Sequence, residues 1–177
     1  MNNILLISED FIKTHSALSD NYFGKYLTPS IVEAQDMGLQ MVIGSCLYNK
    51  LLSLVGDGSI QLPENAAYKG LLDDYIQQYL LYRVLSSTII YANIKLANVG
   101  TVVANDEHIV NLSQKDIDLI TQDMRNKCAF YQRRLQEFLI KNCQLFAELD
   151  ACACDRMKAN LTSAEKTGIW LAGMVGK

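Results

Sequence analysis

The sequence has few of the residue arrangements that carry enzymatic chemistry. It contains only two histidines, His15 and His108, and neither belongs to a nucleophile or metal-binding motif. It has no phosphate-binding glycine loop, no dinucleotide-binding fingerprint and no zinc-protease motif. Gly44-Ser45-Cys46 falls inside a predicted helix, unlike a nucleophile elbow. We therefore predict no catalytic, cofactor-binding or metal-binding residues, and expect a protein that is not an enzyme.

Excess charge and long apolar runs are also missing. A net charge of −3 over 177 residues gives no overall attraction to nucleic acid or to a membrane surface. The longest nearly uncharged run, Asp74–Asn93, is interrupted by Arg83, which is typical of a buried helix rather than a membrane span. The N-terminus lacks a basic segment and does not look like a signal peptide. Length and composition predict one globular domain with a substantial core.

The cysteines are five in number, which is odd, and three of them lie in helical patterns. The simpler interpretation is a reduced, cytosolic assembly site in which the cysteines pack as small hydrophobic residues. Cys152 and Cys154 stand close together, but no second pair follows at ligand spacing. A metal or redox role for this pair is the alternative.

Helical periodicity predicts three long helices. The first begins at Thr28-Pro29, with threonine as N-cap and proline at the first helical position, and runs to Val55. Gly38 and Gly44 within it indicate close packing against another helix rather than a hinge. The second, over residues 66–96, is apolar nearly all round, which is typical of a helix in the middle of a bundle or between subunits.

The third predicted helix, over residues 113–143, has one apolar face and one charged face. Its basic residues are either an ordinary solvated face or a surface for DNA phosphates. These residues are Lys127, Arg133, Arg134 and Lys141.

Four tyrosines on the second helix recur at helical spacing. A subunit interface is one interpretation, because tyrosine is enriched at interfaces; the edge of the core with hydrated hydroxyls is the other. The four are Tyr68, Tyr75, Tyr79 and Tyr82.

The segment 98–112 lies between the second and third predicted helices. Its apolar runs, Val99–Ala104 and His108–Leu112, flank an Asn-Asp-Glu turn and predict a β-hairpin-like arm. Two helices that need only a connection use a short loop, so an arm indicates contact with another protein. The candidate contact residues of the arm are Thr101, Val102, Val103, His108, Ile109 and Val110.

The C-terminal segment 152–177 opens polar and closes apolar. This pattern predicts a tail that docks on another protein or folds back on its own bundle. Its candidate contact residues are Ile169, Trp170, Leu171 and Met174.

The predicted fold is therefore mainly α: a bundle of three long helices plus short helices, with a β-hairpin-like arm between the second and third long helices. We divide the chain into an N-terminal arm and short helix (1–27), a helical domain with the arm at 98–112 (28–151), and a C-terminal docking tail (152–177).

This layout resembles the head–tail connector (adaptor) proteins of tailed bacteriophages over about residues 28–149. The first helix of that family has the pattern I-x-x-A-Q followed by I-G-x-x-L-Y-x-x-L. The matching residues here are Ile31, Ala34, Gln35, Ile43, Gly44, Leu47, Tyr48 and Leu51. The family then has a mostly apolar second helix, here 68–96, a glycine-containing segment, here 98–103, and a helix that ends near residues 131–139. Asn- and Tyr-rich helices also suit a gut phage of the crAss-like group.

The resemblance implies a structural virion protein. Connector subunits form a homo-oligomeric ring, often of twelve copies, beneath the portal, where the ring extends the DNA channel and gives the tail a docking surface. The implied partners are other copies of the chain, the portal protein, and tail or further connector proteins. Double-stranded DNA passes through the channel without sequence-specific binding, and no membrane is involved. The implied location is the head–tail junction of the virion, and the host cytoplasm during assembly.

Two other functions remain open. One is a helical adaptor or regulator unrelated to phage, which would show no stoichiometric ring on a portal. The other is a small helical enzyme with an unrecognised site, which a deep pocket of polar groups with perturbed pKa values would favour.

Overall fold

A computed structural model describes residues 4–16, 24–97, 100–103, 114–151 and 159 of the chain. This part of the protein is mainly helical, as predicted. The α-helices are α1 (Glu9–Thr14), α2 (Gly24–Glu33), α3 (Gln40–Ile43), α4 (Ser45–Gly56), α5 (Ala66–Leu71), α6 (Gln77–Asn93), α7 (Gln114–Lys141) and α8 (Glu148–Ala151). The π-helical segments Ala34–Leu39 and Leu72–Ile76 join α2 to α3 and α5 to α6. Short 3-10 segments are Ser59–Gln61, Pro63–Asn65 and Cys143–Leu145, and the β-strands are β1 (Ile94–Ala97) and β2 (Gly100–Val103).

The first predicted helix begins earlier than its sequence signal. The structure starts α2 at Gly24 and places Pro29 inside the helix rather than at its first position. Leu27 and Ile31, on either side of the proline, are fully buried. Packing of these side chains holds the helix together across a residue that lacks a backbone donor.

Gly44 divides that predicted helix into two. Its backbone has φ 80° and ψ 158°, a conformation that residues with a Cβ rarely adopt. The Gly44 N–H still donates to the Gln40 carbonyl (2.9 Å), and the Gly44 carbonyl accepts from the Tyr48 N–H (3.1 Å). The chain therefore changes direction between α3 and α4 without leaving these backbone groups unpaired.

Replacing Gly44 with alanine should lower the free energy of unfolding by about 1–3 kcal/mol, because alanine is strained at this φ. The matched control is Gly70→Ala in α5, where an added Cβ meets nothing within 4 Å. At that position alanine should raise stability by about 0.5–1 kcal/mol, since alanine is the better helix former. Urea unfolding followed by circular dichroism measures both changes; two changes of the same sign would contradict the role given to Gly44.

The helix made of α5, the π-helical segment 72–76 and α6 runs from residue 66 to residue 93 and lies at the centre of the packing. Its α6 portion contacts both α2 and α7. Ile76, Leu80 and Val84 recur every four residues and are fully buried. The nearly all-round apolar pattern of this segment reflects burial between neighbouring helices.

The N-terminal residues pack into the same core as the long helices. Leu6, Ile7 and Ile12 are all almost inaccessible to solvent. Ser8 is the N-cap of α1, where its hydroxyl accepts a hydrogen bond from the Phe11 N–H (3.0 Å).

The predicted β-hairpin-like arm at 98–112 is wrong. The structure pairs β1 with β2, antiparallel, with Ile94 opposite Val103 and Ala97 opposite Gly100. It thus uses residues 94–97, which were assigned to the second helix, as the partner of residues 100–103. Only two residues separate the paired segments, so little loop-closure entropy opposes this pairing. Residues 98, 99 and 104–113 of the predicted arm and its end lie outside the described part, and among the residues that the structure describes no projecting arm of the predicted kind is seen.

Among the described helices, none combines the length and the apolarity that a membrane crossing requires.

Candidate functional site: an aromatic seam and a basic helix face

The motif residues that carry the connector resemblance are buried. Ile31, Ala34 and Gln35 are each at most 2% exposed. The second group behaves in the same way, with Ile43, Leu47, Tyr48 and Leu51 in the core. These residues therefore build the fold rather than a surface for partners.

Gln35 connects the N-terminal segment to the first long helix. Its Oε1 accepts a hydrogen bond from the Leu6 N–H (2.7 Å), and its Nε2 donates to the Ile4 carbonyl (3.2 Å). One buried amide thus provides hydrogen-bond partners for two backbone groups of an irregular segment. In helices and strands such groups pair with other backbone groups instead.

Tyr48 extends this polar contact to α4. Its hydroxyl donates to Asp36 Oδ1 (2.6 Å). Burial and the hydrogen bond to Asp36 raise the pKa of Tyr48 well above its usual value, while Gln35 acts in the opposite direction. Gln35, Asp36 and Tyr48 therefore form one network, called here the Gln35 network, that ties residues 4–6 to the helices on both sides of Gly44.

Three of the four predicted tyrosines form an aromatic seam with the C-terminal half of the chain. Tyr75 stacks on Phe138 with ring centroids 4.1 Å apart, and Tyr82 stacks on Tyr131 at 5.2 Å. At the far end, Tyr68 meets the edge of Phe146 at 5.5 Å. The tyrosines are seven residues apart, as are Tyr131 and Phe138, so antiparallel helices bring successive pairs into register.

A cation lies over each of the three seam tyrosines of the second long helix. Lys50 Nζ lies 5.8 Å from the Tyr68 ring centroid, Arg134 Cζ 5.2 Å from that of Tyr75, and Lys127 Nζ 5.9 Å from that of Tyr82. These distances are in the range of favourable cation–π contact. The seam therefore has a buried aromatic side and a positively charged outer edge.

Tyr68 also joins α5 to α8. Its hydroxyl donates to the Glu148 carboxylate, with Oε2 at 2.9 Å and Oε1 at 3.0 Å. Burial and this carboxylate raise the pKa of Tyr68 to about 12. The phenol stays protonated at neutral pH and serves as a donor between the two helices.

Tyr79 lies deeper than the other three and is 2% exposed. A Cβ added to Gly38 would stand 2.9 Å from its hydroxyl and 3.3 Å from Arg83 Nε. Gly38 thus allows close approach of the first and second long helices, as the sequence predicts. Burial raises the pKa of Tyr79 to about 12, so this phenol is no acid or base at neutral pH.

The outward side of α7 mixes exposed basic and exposed apolar residues. Phe130, Ile140 and Leu119 are 62%, 51% and 61% exposed, and they follow one another about three helical turns apart along α7. Arg133 is exposed and lies three residues after Phe130 and seven before Ile140, which places it on the same side of α7. Lys141 is also exposed and lies three turns beyond Phe130. We call the residues 125–141 that face solvent the α7 face.

The described residues contain no group of three or more histidine, cysteine or acidic side chains placed to hold a metal ion. Cys46 is disulfide-bonded, so the predicted reduced state is wrong for this residue. Cys128 and Cys143 are free thiols, the first buried and the second exposed. Burial raises the pKa of the Cys128 thiol, which makes it a packing residue rather than a nucleophile.

The structure accounts for the predicted site residues unevenly. It brings Tyr68, Tyr75, Tyr79 and Tyr82 into contacts within the chain, and their role as a subunit interface stays a prediction. Residues 101–103 belong to β2. The remaining arm candidates, His108, Ile109 and Val110, lie outside the described residues, as do the tail candidates Ile169, Trp170, Leu171 and Met174.

The sequence did not predict two features of the structure, the Gln35 network and the apolar part of the α7 face. The Gln35 network gave no signal beyond the I-x-x-A-Q pattern, because its partners are backbone atoms of another segment. The apolar part of the α7 face did leave a signal in the sequence. Phe130 and Ile140 are apolar but fall outside the three-four alternation of Tyr131, Leu135 and Phe138, so they were not expected to be buried.

Fold and surface together define a mainly helical protein with a tightly fixed interior and an exposed apolar and basic helix face. Residues 39–156, more than half of the chain, match the family of unknown function DUF6712, and the protein belongs to this family. Searches among curated proteins and among solved structures gave no match.

Proposed function

We propose that this protein is a structural subunit of the head–tail connector of a tailed bacteriophage. Identical copies, twelve by analogy with the connectors it resembles, form a ring beneath the portal. The ring joins head to tail and extends the channel through which double-stranded DNA passes. The protein acts by assembly and not by catalysis, in the host cytoplasm first and then in the virion.

The exposed α7 face supports this proposal most strongly. A helix of 28 residues is about 42 Å long, comparable to the diameter of a small domain. Large apolar side chains left in solvent along such a length favour a contact surface for other proteins. A subunit that meets neighbours in a ring needs a surface of this kind.

The buried motif residues give separate support. In this chain the patterns shared with connectors fix the bend at Gly44 and the Gln35 network, so they determine the shape of the subunit. Identical subunits of fixed shape that associate head-to-tail close into a ring when the rotation between neighbours divides a full turn. Portal and tail proteins then bind the two rims.

Quantitative mass spectrometry of purified particles of the encoding phage tests the proposal. We expect peptides of this chain in the particle at the same copy number as the portal protein. Particles that contain the portal protein but lack this chain would contradict the proposal.

A further inference from the structure

A second exposed surface lies at the connection between α4 and α5, residues 56–65, which we call the acidic corner. Leu62 is 46% exposed at its centre, and the exposed carboxylates of Asp57 and Glu64 flank it in the sequence. This corner has an apolar side chain beside acidic ones, whereas the α7 face has apolar side chains beside basic ones.

The acidic corner is held in one conformation by local hydrogen bonds. Asp57 Oδ1 accepts from the Ser59 N–H (2.9 Å), and Asn65 Nδ2 donates to the Ser59 carbonyl (2.9 Å). Gly58 takes the left-handed conformation that the turn requires, with φ 74°. The hydrogen bonds from Ser59 keep the pKa of Asp57 below its usual value, so this carboxylate is charged at neutral pH. A surface ordered before binding loses little entropy when it binds.

Charge is separated along the chain. Residues 125–141 contain five basic side chains and one acidic side chain, a local charge of +4. Since the whole chain carries −3, the other residues together carry −7. Within the described part, no ion pair involves Arg133 or Lys141, while Lys127 pairs with Asp123 at 2.6 Å. The positively charged α7 face therefore attracts negatively charged surfaces, and the rest of the same chain carries a net negative charge.

We infer that the α7 face of one copy binds the acidic corner of a second copy of this chain. Phe130 and Ile140 then pack near Leu62, and Arg133 and Lys141 lie near the carboxylates of Asp57 and Glu64. This deepens the proposed function by naming the two surfaces through which subunits associate. Exposed aromatic residues at the centre of such a contact carry much of the binding energy, and the flanking charges set its register and rate.

Duplex DNA is the rival occupant of the α7 face. Phosphates would contact its basic side chains, but they give no role to Phe130, Ile140 or Leu62. An acidic corner on the same chain would also repel DNA. Protein–protein contact uses all of these residues, and we therefore prefer it.

Two complementary charge variants test the inference. The first carries Arg133→Glu and Lys141→Glu; the second carries Asp57→Asn, which keeps the oxygen that accepts from Ser59, and Glu64→Lys. Sedimentation velocity at low salt should show self-association weakened by about tenfold or more in each variant alone. An equimolar mixture should regain association to within about threefold of the unchanged chain, because each altered surface then finds a complementary one.

Thermal unfolding of both variants serves as the control for folding, and recovery in the mixture itself shows that the subunits are folded. The inference is overturned if the unchanged chain stays monomeric at its highest soluble concentration, or if the mixture does not recover. It is also overturned if a 30-base-pair duplex binds the unchanged chain and only that binding is lost in the first variant. The particle count under the proposed function does not depend on these surfaces, so the two failures are distinguishable.

Discussion

Replacement of Gln35 with methionine should lower the free energy of unfolding by about 2–5 kcal/mol. Methionine fills a similar volume but cannot pair with the Leu6 N–H or the Ile4 carbonyl. The hydrogen bond to the Leu6 N–H is buried and that to the Ile4 carbonyl is part-buried; a backbone group left unpaired in the interior costs about 1–3 kcal/mol. Urea unfolding measures the loss, and amide exchange at Leu6 should become faster than in the unchanged chain.

The control for Gln35 is the same substitution at Gln122. This side chain is exposed on α7, where its amide donates to Asn126 Oδ1. Methionine there should change stability by no more than about 0.5 kcal/mol, as surface substitutions usually do. Equal losses of stability at the two positions would show that the Gln35 network does not stabilise the fold.

Truncation of Phe146 to alanine is the second change with a large expected effect. Phe146 is fully buried and contacts both Tyr68 and Phe138, so its removal leaves a cavity at one end of the aromatic seam. Phenylalanine-to-alanine changes in cores cost about 3–5 kcal/mol. We expect a loss in that range in urea unfolding, and a perturbed near-ultraviolet circular dichroism signal from the seam tyrosines.

Phe130→Ala provides the matched comparison. Its ring touches the edge of Tyr131 but is 62% exposed, so its truncation opens no cavity. Stability should fall by about 1 kcal/mol or less, the value of an aromatic pair beyond its buried area. Comparable losses for the two phenylalanines would mean that the seam does not hold the C-terminal half of the chain to α5 and α6.

Helix periodicity predicted the main elements well, because each long helix buries one stripe against a neighbour. The span 114–141 for α7 and the continuous helical run 66–93 lie within a few residues of the prediction. Periodicity does not predict the roles of the two glycines in the first long helix. Gly38 and Gly44 were both assigned to close packing, which is right for Gly38 and wrong for Gly44. The sequence around a glycine does not reveal its φ, which tertiary packing decides.

The strands could not be placed from the sequence for a similar reason. Residues 94–97 continue an apolar helical pattern and gave no sign that they leave the helix. A short, mostly apolar run such as Ile-Lys-Leu-Ala suits a helix end and a strand equally well. Pairing with β2 decides between the two, and this pairing is not visible in periodicity.

The candidate surfaces were only partly predictable. The basic residues of the α7 face were visible in the sequence as a charged stripe. The two interpretations of that stripe were a solvated face and a DNA contact, and neither of them was contact with a second copy of the chain. For the acidic corner, the sequence predicted only that the first long helix ends at Val55. The fixed turn of this corner depends on the side chains of Asp57 and Asn65, whose partners appear only in the fold.

The copy number of this chain in phage particles tests the central claim most directly. Peptides from this protein and from the portal protein are counted in the same purified particles, against isotope-labelled standards for each. If the chain is a connector subunit, the ratio of the two proteins should be one to one and should not change when particles are repurified. A chain that is absent, or that is lost on repurification while the portal protein remains, would contradict the account.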